Sequence, residues 1–185
     1  MTTELPLFPL NTVLFPGGQL TLRVFEQRYR RLVDLCGRQQ PFVVVRILAG
    51  REVGEAAFCR EVGTTARITL MQAQADGSLG IRVEGLARVR LGNPRVEADN
   101  LMFAEATALP PDMLLGVPAD LQALATALNN EGINVDDAAS LVWRLAEVLP
   151  LPDDLRQQLL EENAVALRLQ ALQQWLDGHA DTMLA

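Results

Sequence analysis

The sequence predicts an α+β protein: a curved β-layer carrying one packed helix, followed by a bundle of about four helices. Three observations lead there. Up to about residue 110, short apolar runs alternate with polar residues at period two and are punctuated by proline and glycine, the pattern of strands and turns. Within that region one charged segment, from Phe25 onward, moves to helical spacing. Beyond Pro110-Pro111 the alternation stops and apolar residues recur three and four apart, as in amphipathic helices packed on one another.

The segment Glu4 to Leu35, ELPLFPLNTVLFPGGQLTLRVFEQRYRRLVDL, is the pivot of the chain. Proline removes a backbone donor and glycine permits positive φ, so Pro6, Pro9, Pro16 and Gly17-Gly18 mark places where a β-layer turns or shows an edge. Phe15-Pro16-Gly17-Gly18 lacks the downstream lysine and helix of a phosphate cradle and reads as a tight turn between strands. In the helix that follows, Tyr29, Leu32, Val33 and Cys36 share a face, with Arg28, Arg30, Arg31 and Asp34 between them. Glu26 and Arg30, one turn apart, are expected to form a surface pair of about 0.2–0.5 kcal/mol.

PFVVVRIL, Pro41 to Leu48, is a β-branched run without alternation, expected of a central strand buried on both faces and ended by Gly50. Gly54 suggests a loop. Ala57 to Arg60 and Val62 to Met71 read as strand, with Ala66, Ile68 and Leu70 inward and Arg67 and Thr69 outward. Ala75-Asp76-Gly77-Ser78 is a hairpin signal, since Asp-Gly supplies the positive φ of a tight turn. In the return strand, Leu79 to Leu91, Gly85 is expected to be a bulge or bend that curves the sheet into a half-closed barrel. Asn93-Pro94 breaks that strand, and Arg95 to Leu109 reads as one further strand.

Pro110 to Gly116 is the expected boundary, giving a β-domain over 1–110, a helical bundle over 117–178 and a flexible tail over 179–185. Pro118 opens a helix with Leu121, Leu124, Ala125 and Leu128 on one face. Asp136 or Asp137 caps a second, carrying Ala138, Leu141, Val142, Leu145, Val148 and Leu149. Pro150-Leu151-Pro152 stops it, Asp153-Asp154 open a third, and Asn163 caps a fourth with Val165, Leu169, Leu172 and Leu176.

The runs LPLFPL and VLFPGGQLTLRVFEQRYRRLV, resumed at Val62 to Leu91 and at LAEVLPLPDDLRQQLLEENAVALRLQALQQWL, resemble the N-terminal domain of the Lon protease family. The match is to the stand-alone form that lacks the ATPase and protease parts. The resemblance implies a PUA-like β pseudo-barrel followed by a helical bundle. It also implies a role in holding unfolded or exposed protein segments, with a protease or chaperone as associated partner. Phe15, Arg23, Arg28 and Tyr29, all in the family-like segment, are the candidates for protein contact; structural support is the competing role for Arg23, Arg28 and Tyr29.

Composition narrows the chemistry. All 16 basic residues are arginine and there is no lysine. Schiff-base catalysis, a P-loop and a Ser-Lys dyad each require one. His179, the single histidine, is placed in the expected tail, away from any preorganised pocket. Ser78 lies in a turn and Ser140 inside a helix, neither in a nucleophile-elbow setting. The pairs Asp136-Asp137, Asp153-Asp154 and Glu161-Glu162 read as helix-terminus charges rather than metal ligands. Cys36 and Cys59 are far apart and read as reduced thiols, not a disulfide or zinc site. No catalytic residue, cofactor or metal is expected.

Residues 1 to 100 are net +3 and residues 101 to 185 net −10, together the −7 of the chain. An acidic second half and dispersed arginines disfavour nucleic acid as main partner. No run reaches the length of a membrane span, and no basic-then-apolar leader opens the sequence, so the expected location is the cytoplasm. The leading expectation is a non-enzymatic protein-binding module. The alternative is a PUA-like module binding RNA or a small ligand.

Overall fold

The computed structural model describes residues 2 to 183, which divide into two compact units between Leu109 and Pro110. The first holds β1 (Thr2–Leu10), β2 (Gln19–Val24), α1 (Gln27–Cys36), β3 (Phe42–Ala49), β4 (Phe58–Ala73), β5 (Leu79–Leu91), β6 (Arg95–Val96) and β7 (Met102–Ala108). The strand order is β2-β5-β4-β3-β1-β7-β6, and a further pairing of β5 with β7 joins five of these strands into a ring. Only β2 and β6 stand outside it. The sheet is mixed, β1 and β3 being parallel and the other pairs antiparallel.

The unalternating run of β3 follows from this ring. Val43 and Val45 join Leu7, Val89, Met102, Ala104 and Ala106 in one buried cluster, whereas Phe42 and Val44 face a second with Phe8, Leu10, Ile81 and Val83. With both faces covered from Phe42 to Val45, those four positions are all apolar, and the first polar residue is the half-buried Arg46. α1 covers the larger cluster with Tyr29, Leu32, Val33 and Cys36, the four residues of the expected helical stripe. Phe8 stacks on Tyr29 with ring centroids 4.2 Å apart. Each large apolar side chain so buried contributes about 1.5–3 kcal/mol.

Several expectations are corrected by pairing between distant strands. Pro6 and Pro9 do not cut the first run: both lie inside β1, which pairs with β7 over Thr2 to Pro6 and with β3 over Leu7 to Leu10. Each half has one unpaired side, where a missing amide costs no ladder bond. Leu70 faces outward and is exposed, because a register shift between Ile68 and Leu70 puts Met71 against the core instead. The single strand expected over Arg95 to Leu109 is a hairpin of β6 and β7. Its turn is held by Asn100 N–H to the Glu97 carbonyl and Leu101 N–H to the Asp99 carboxylate, with Asn100 at φ 66°.

Gly85 has two structural tasks. Ala66 pairs with Gly85 and Thr64 with Arg88, so the expected bulge inserts one extra residue just after the glycine. The Pro16–Gly18 turn also settles on it: Gly17 N–H donates to the Gly85 carbonyl and Gly85 N–H to the Gly18 carbonyl, both at 2.8 Å. A Cβ at this position would lie 2.2 Å from the Phe15 carbonyl oxygen, so only glycine fits.

The second unit has a 3-10 turn (Ala119–Leu121), α2 (Gln122–Asn130), α3 (Ala138–Val148), α4 (Asp153–Glu161) and α5 (Val165–Met183). Asp137 caps α3 through a reciprocal pair with Ser140. Leu141, Val142, Leu145, Leu159, Leu160, Leu169 and Leu172 are buried between these helices, while Val148, expected inside, is exposed at the end of α3. Trp143 is buried with the Arg168 guanidinium 4.2 Å above its ring. α5 runs on to Met183, so Gly178 to Met183 are helical and not a separate tail; residues 184 and 185 lie outside the described residues. His179 accordingly sits on a helix, stacked on Trp175 at 4.4 Å with Nδ1 2.8 Å from the Trp175 carbonyl oxygen.

Candidate protein-binding surface

Arg28 opens α1 and is only 4% exposed. Its guanidinium donates to the carbonyls of Glu52 at 3.0 Å, Glu55 at 3.2 Å and Asn100 at 3.3 Å, pairs with the Glu26 carboxylate at 3.2 Å, and lies 4.5 Å from the Tyr29 ring centroid. Glu26 in turn accepts from Gly54 N–H at 3.1 Å, and Glu52 accepts from Asn11 N–H at 2.5 Å. The loop between β3 and β4 is thereby fixed at four points to the start of α1 and to Asn11, and Arg28 also holds the Asn100 turn. Glu26 is not paired with Arg30, as its helical spacing suggested: Arg30 reaches the Gly77 carbonyl of the β4–β5 hairpin.

The segments joined by this clamp carry exposed apolar side chains. Phe58, first residue of β4, is 77% exposed; Val53 on the loop, Leu48 at the end of β3 and Phe25 just after β2 are each more than half exposed. Apolar groups displayed on a braced loop incur a smaller ordering cost when a partner covers them. The sequence reading passed over all four. Their signal is weak, an apolar residue beside Gly54 and another closing the small-residue run Ala56-Ala57, and their exposure depends on contacts with residues far away in the chain.

Three of the four residues singled out from the sequence lie inside. Phe15 is fully buried and Arg28 and Tyr29 nearly so, so they support the surface and do not present to a partner. Burial pushes the Tyr29 hydroxyl up to about 12. Arg23 alone is exposed, its guanidinium paired with Asp76 and its Nε donating to Ser78 Oγ at 3.0 Å. It lines an open cleft of about 430 Å³ with Thr21, Leu22, Gln74, Asp76 and Gly80, along β2 and the β4–β5 hairpin. Burial also raises the Cys36 and Cys59 thiols to about 11, which keeps them protonated and poorly nucleophilic. Among the described residues no group of three or more His, Cys, Asp or Glu is placed to hold a metal ion.

Comparison with known proteins agrees with this architecture. Residues 4–178 match the family described as the ATP-dependent protease La (LON) substrate-binding domain. The chain is similar to Lon protease 2 of Syntrophobacter fumaroxidans, 32% identical over 85% of this chain and 22% of that protein, and to Lon protease 2 of Myxococcus xanthus, 37% identical over 79% and 17%. It thus spans about a fifth of the length of these curated relatives. Among solved structures it resembles a Lon N-terminal domain protein from Xanthomonas campestris, with a TM-score of 0.80 and 39% identity over 94% of this chain and 98% of that one. The N-terminal domain of the Mycobacterium avium complex Lon protease shares the fold, with a TM-score of 0.70 at 18% identity over 96% and 100%.

Proposed function

Since the chain belongs to the family of LON substrate-binding domains, we propose that it recognises unfolded or exposed protein segments and holds them without chemical change. The observation that carries this reading is the set Phe25, Leu48, Val53 and Phe58, apolar and exposed on segments that Glu26 and Arg28 hold in place. Folded proteins bury such side chains of their own, whereas an unfolded client offers complementary ones. With no lysine in the sequence, these residues cannot supply the general base of a Ser-Lys dyad. In this role the chain hands clients to, or withholds them from, a protease or chaperone.

Phosphate recognition by the first unit has less support, because several of its arginines are matched with acids: Arg23 with Asp76, Arg31 with Glu97 and Asp99, Arg67 with Glu84, Arg95 with Glu4.

The test replaces Phe58 and Val53 by serine together. With reduced, carboxymethylated lactalbumin as the unfolded client, calorimetric titration is expected to show affinity reduced about tenfold or more, at an unchanged melting temperature, since each lost apolar anchor is worth about 1 kcal/mol or more. Equal affinity for the parent and the double variant would remove this surface from the account.

A further inference from the structure

The strands outside the ring are the two ends of the sheet, and the fold treats them differently. β6 is two residues long and enclosed by charge: Arg95 bonds Glu4 at 3.1 Å and Glu97 at 2.6 Å, and Arg31 bonds Asp99 at 2.9 Å and Glu97 at 2.5 Å. Short strands and charged side chains are how sheets prevent further pairing. β2 is six residues, and among the described residues no strand pairs with its outer side.

The ladder shows which groups of β2 are open. Gly85 N–H donates to the Gly18 carbonyl, and the β2–β5 register continues from that pair through Gln19 opposite Glu84 to Val24 opposite Leu79. Antiparallel ladders alternate, so Leu20, Leu22 and Val24 bond to β5, while the amides and carbonyls of Gln19, Thr21 and Arg23 point outward. The single charge on the strand, Arg23, is drawn aside to Asp76 and Ser78 and does not guard the edge. The turn hydrogen-bonded to Gly85 anchors the start of this edge.

From this contrast we infer that β2 receives a client segment as an added strand. The reading rests on the protein-holding role proposed above and specifies how the client binds. The occupant is an extended stretch of about six residues, which can meet the outward groups of Gln19, Thr21 and Arg23 with its own main chain. Alternate apolar side chains extend the half-buried row of Leu20 and Leu22, and the cleft beside Arg23 takes one of the others. Arg82, opposite Thr21, forms no side-chain bond or ion pair among the described residues, and this unmatched cation favours glutamate or threonine over lysine at the alternate positions. The strand leads directly into Phe25, so a client on β2 continues onto the apolar surface already described.

The probe is a synthetic peptide alternating valine with threonine and glutamate, titrated into the whole chain and followed by amide hydrogen exchange. The amides of Gln19, Thr21 and Arg23 are expected to gain protection on binding while those of Leu20 and Leu22 stay as they were. Thr21→Pro, which deletes an outward amide and spares the bonds to β5, is expected to weaken binding about tenfold. The same peptide N-methylated at alternate residues is expected not to bind. Saturable binding with the three outward amides still exchanging freely overturns strand addition and leaves protein holding intact. Absence of binding by both this peptide and carboxymethylated lactalbumin overturns both. If Thr21→Pro melts early, the exchange pattern of the parent chain decides.

Discussion

Replacing Arg28 by alanine would leave the carbonyls of Glu52, Glu55 and Asn100 and the Glu26 carboxylate without their shared donor. Uncompensated buried polar groups cost about 1–3 kcal/mol each, partly relieved here as water enters the loop. Arg28→Ala is therefore expected to lower unfolding free energy by about 3 kcal/mol in denaturant titration and to speed amide exchange across residues 50 to 57. Arg28→Lys is expected not to restore either, because an ammonium cannot reproduce the planar fork. Unchanged stability in Arg28→Ala would show that the loop is braced by other contacts. The helix around Arg28 was legible from spacing, but its role was not. Beside Arg30 and Arg31 it reads as one more solvated cation, and it is buried only because loops 24 and 72 residues further on fold over it.

Among the elements, the guarded edge at β6 makes a pH prediction. Hydrogen bonds from Arg95 and Arg31 hold Glu4, Glu97 and Asp99 below their ordinary values of 4.5, 4.5 and 3.8. A carboxylate with a depressed folded value contributes stability above its unfolded value and loses that contribution as pH falls through the folded one. The contribution is thus complete at neutral pH and disappears progressively as pH falls below about 4.5. Melting temperatures between pH 7 and pH 3 are expected to fall less steeply in Arg95→Ala than in the parent chain; parallel profiles would show that the network adds nothing. The hairpin containing this edge had a readable turn signal in Asp99-Asn100, overshadowed by Asn93-Pro94 just before it. The outward flip of Leu70 had none, since it arises from the register of β4 against β5.

For the whole molecule, the division into a β unit and a helical unit was legible because it rests on local periodicity, two residues in one half and three to four in the other. Ring closure was legible only as far as Gly85 signalled curvature. The strands that meet, β5 and β7, are joined by a pairing that no local pattern encodes. The display surface was not legible: sequence pointed to Phe15, Arg28 and Tyr29, which the fold buries, and passed over Phe25, Val53 and Phe58, which it exposes. No helix among the described residues is long and apolar enough to cross a membrane. The decisive measurement is a calorimetric titration of the whole chain with one protein in two forms, native lactalbumin and its reduced, carboxymethylated counterpart. Saturable binding of the unfolded form with a negative heat-capacity change, and none of the native form, is the predicted result; equal binding of the two, or binding of neither, would contradict it.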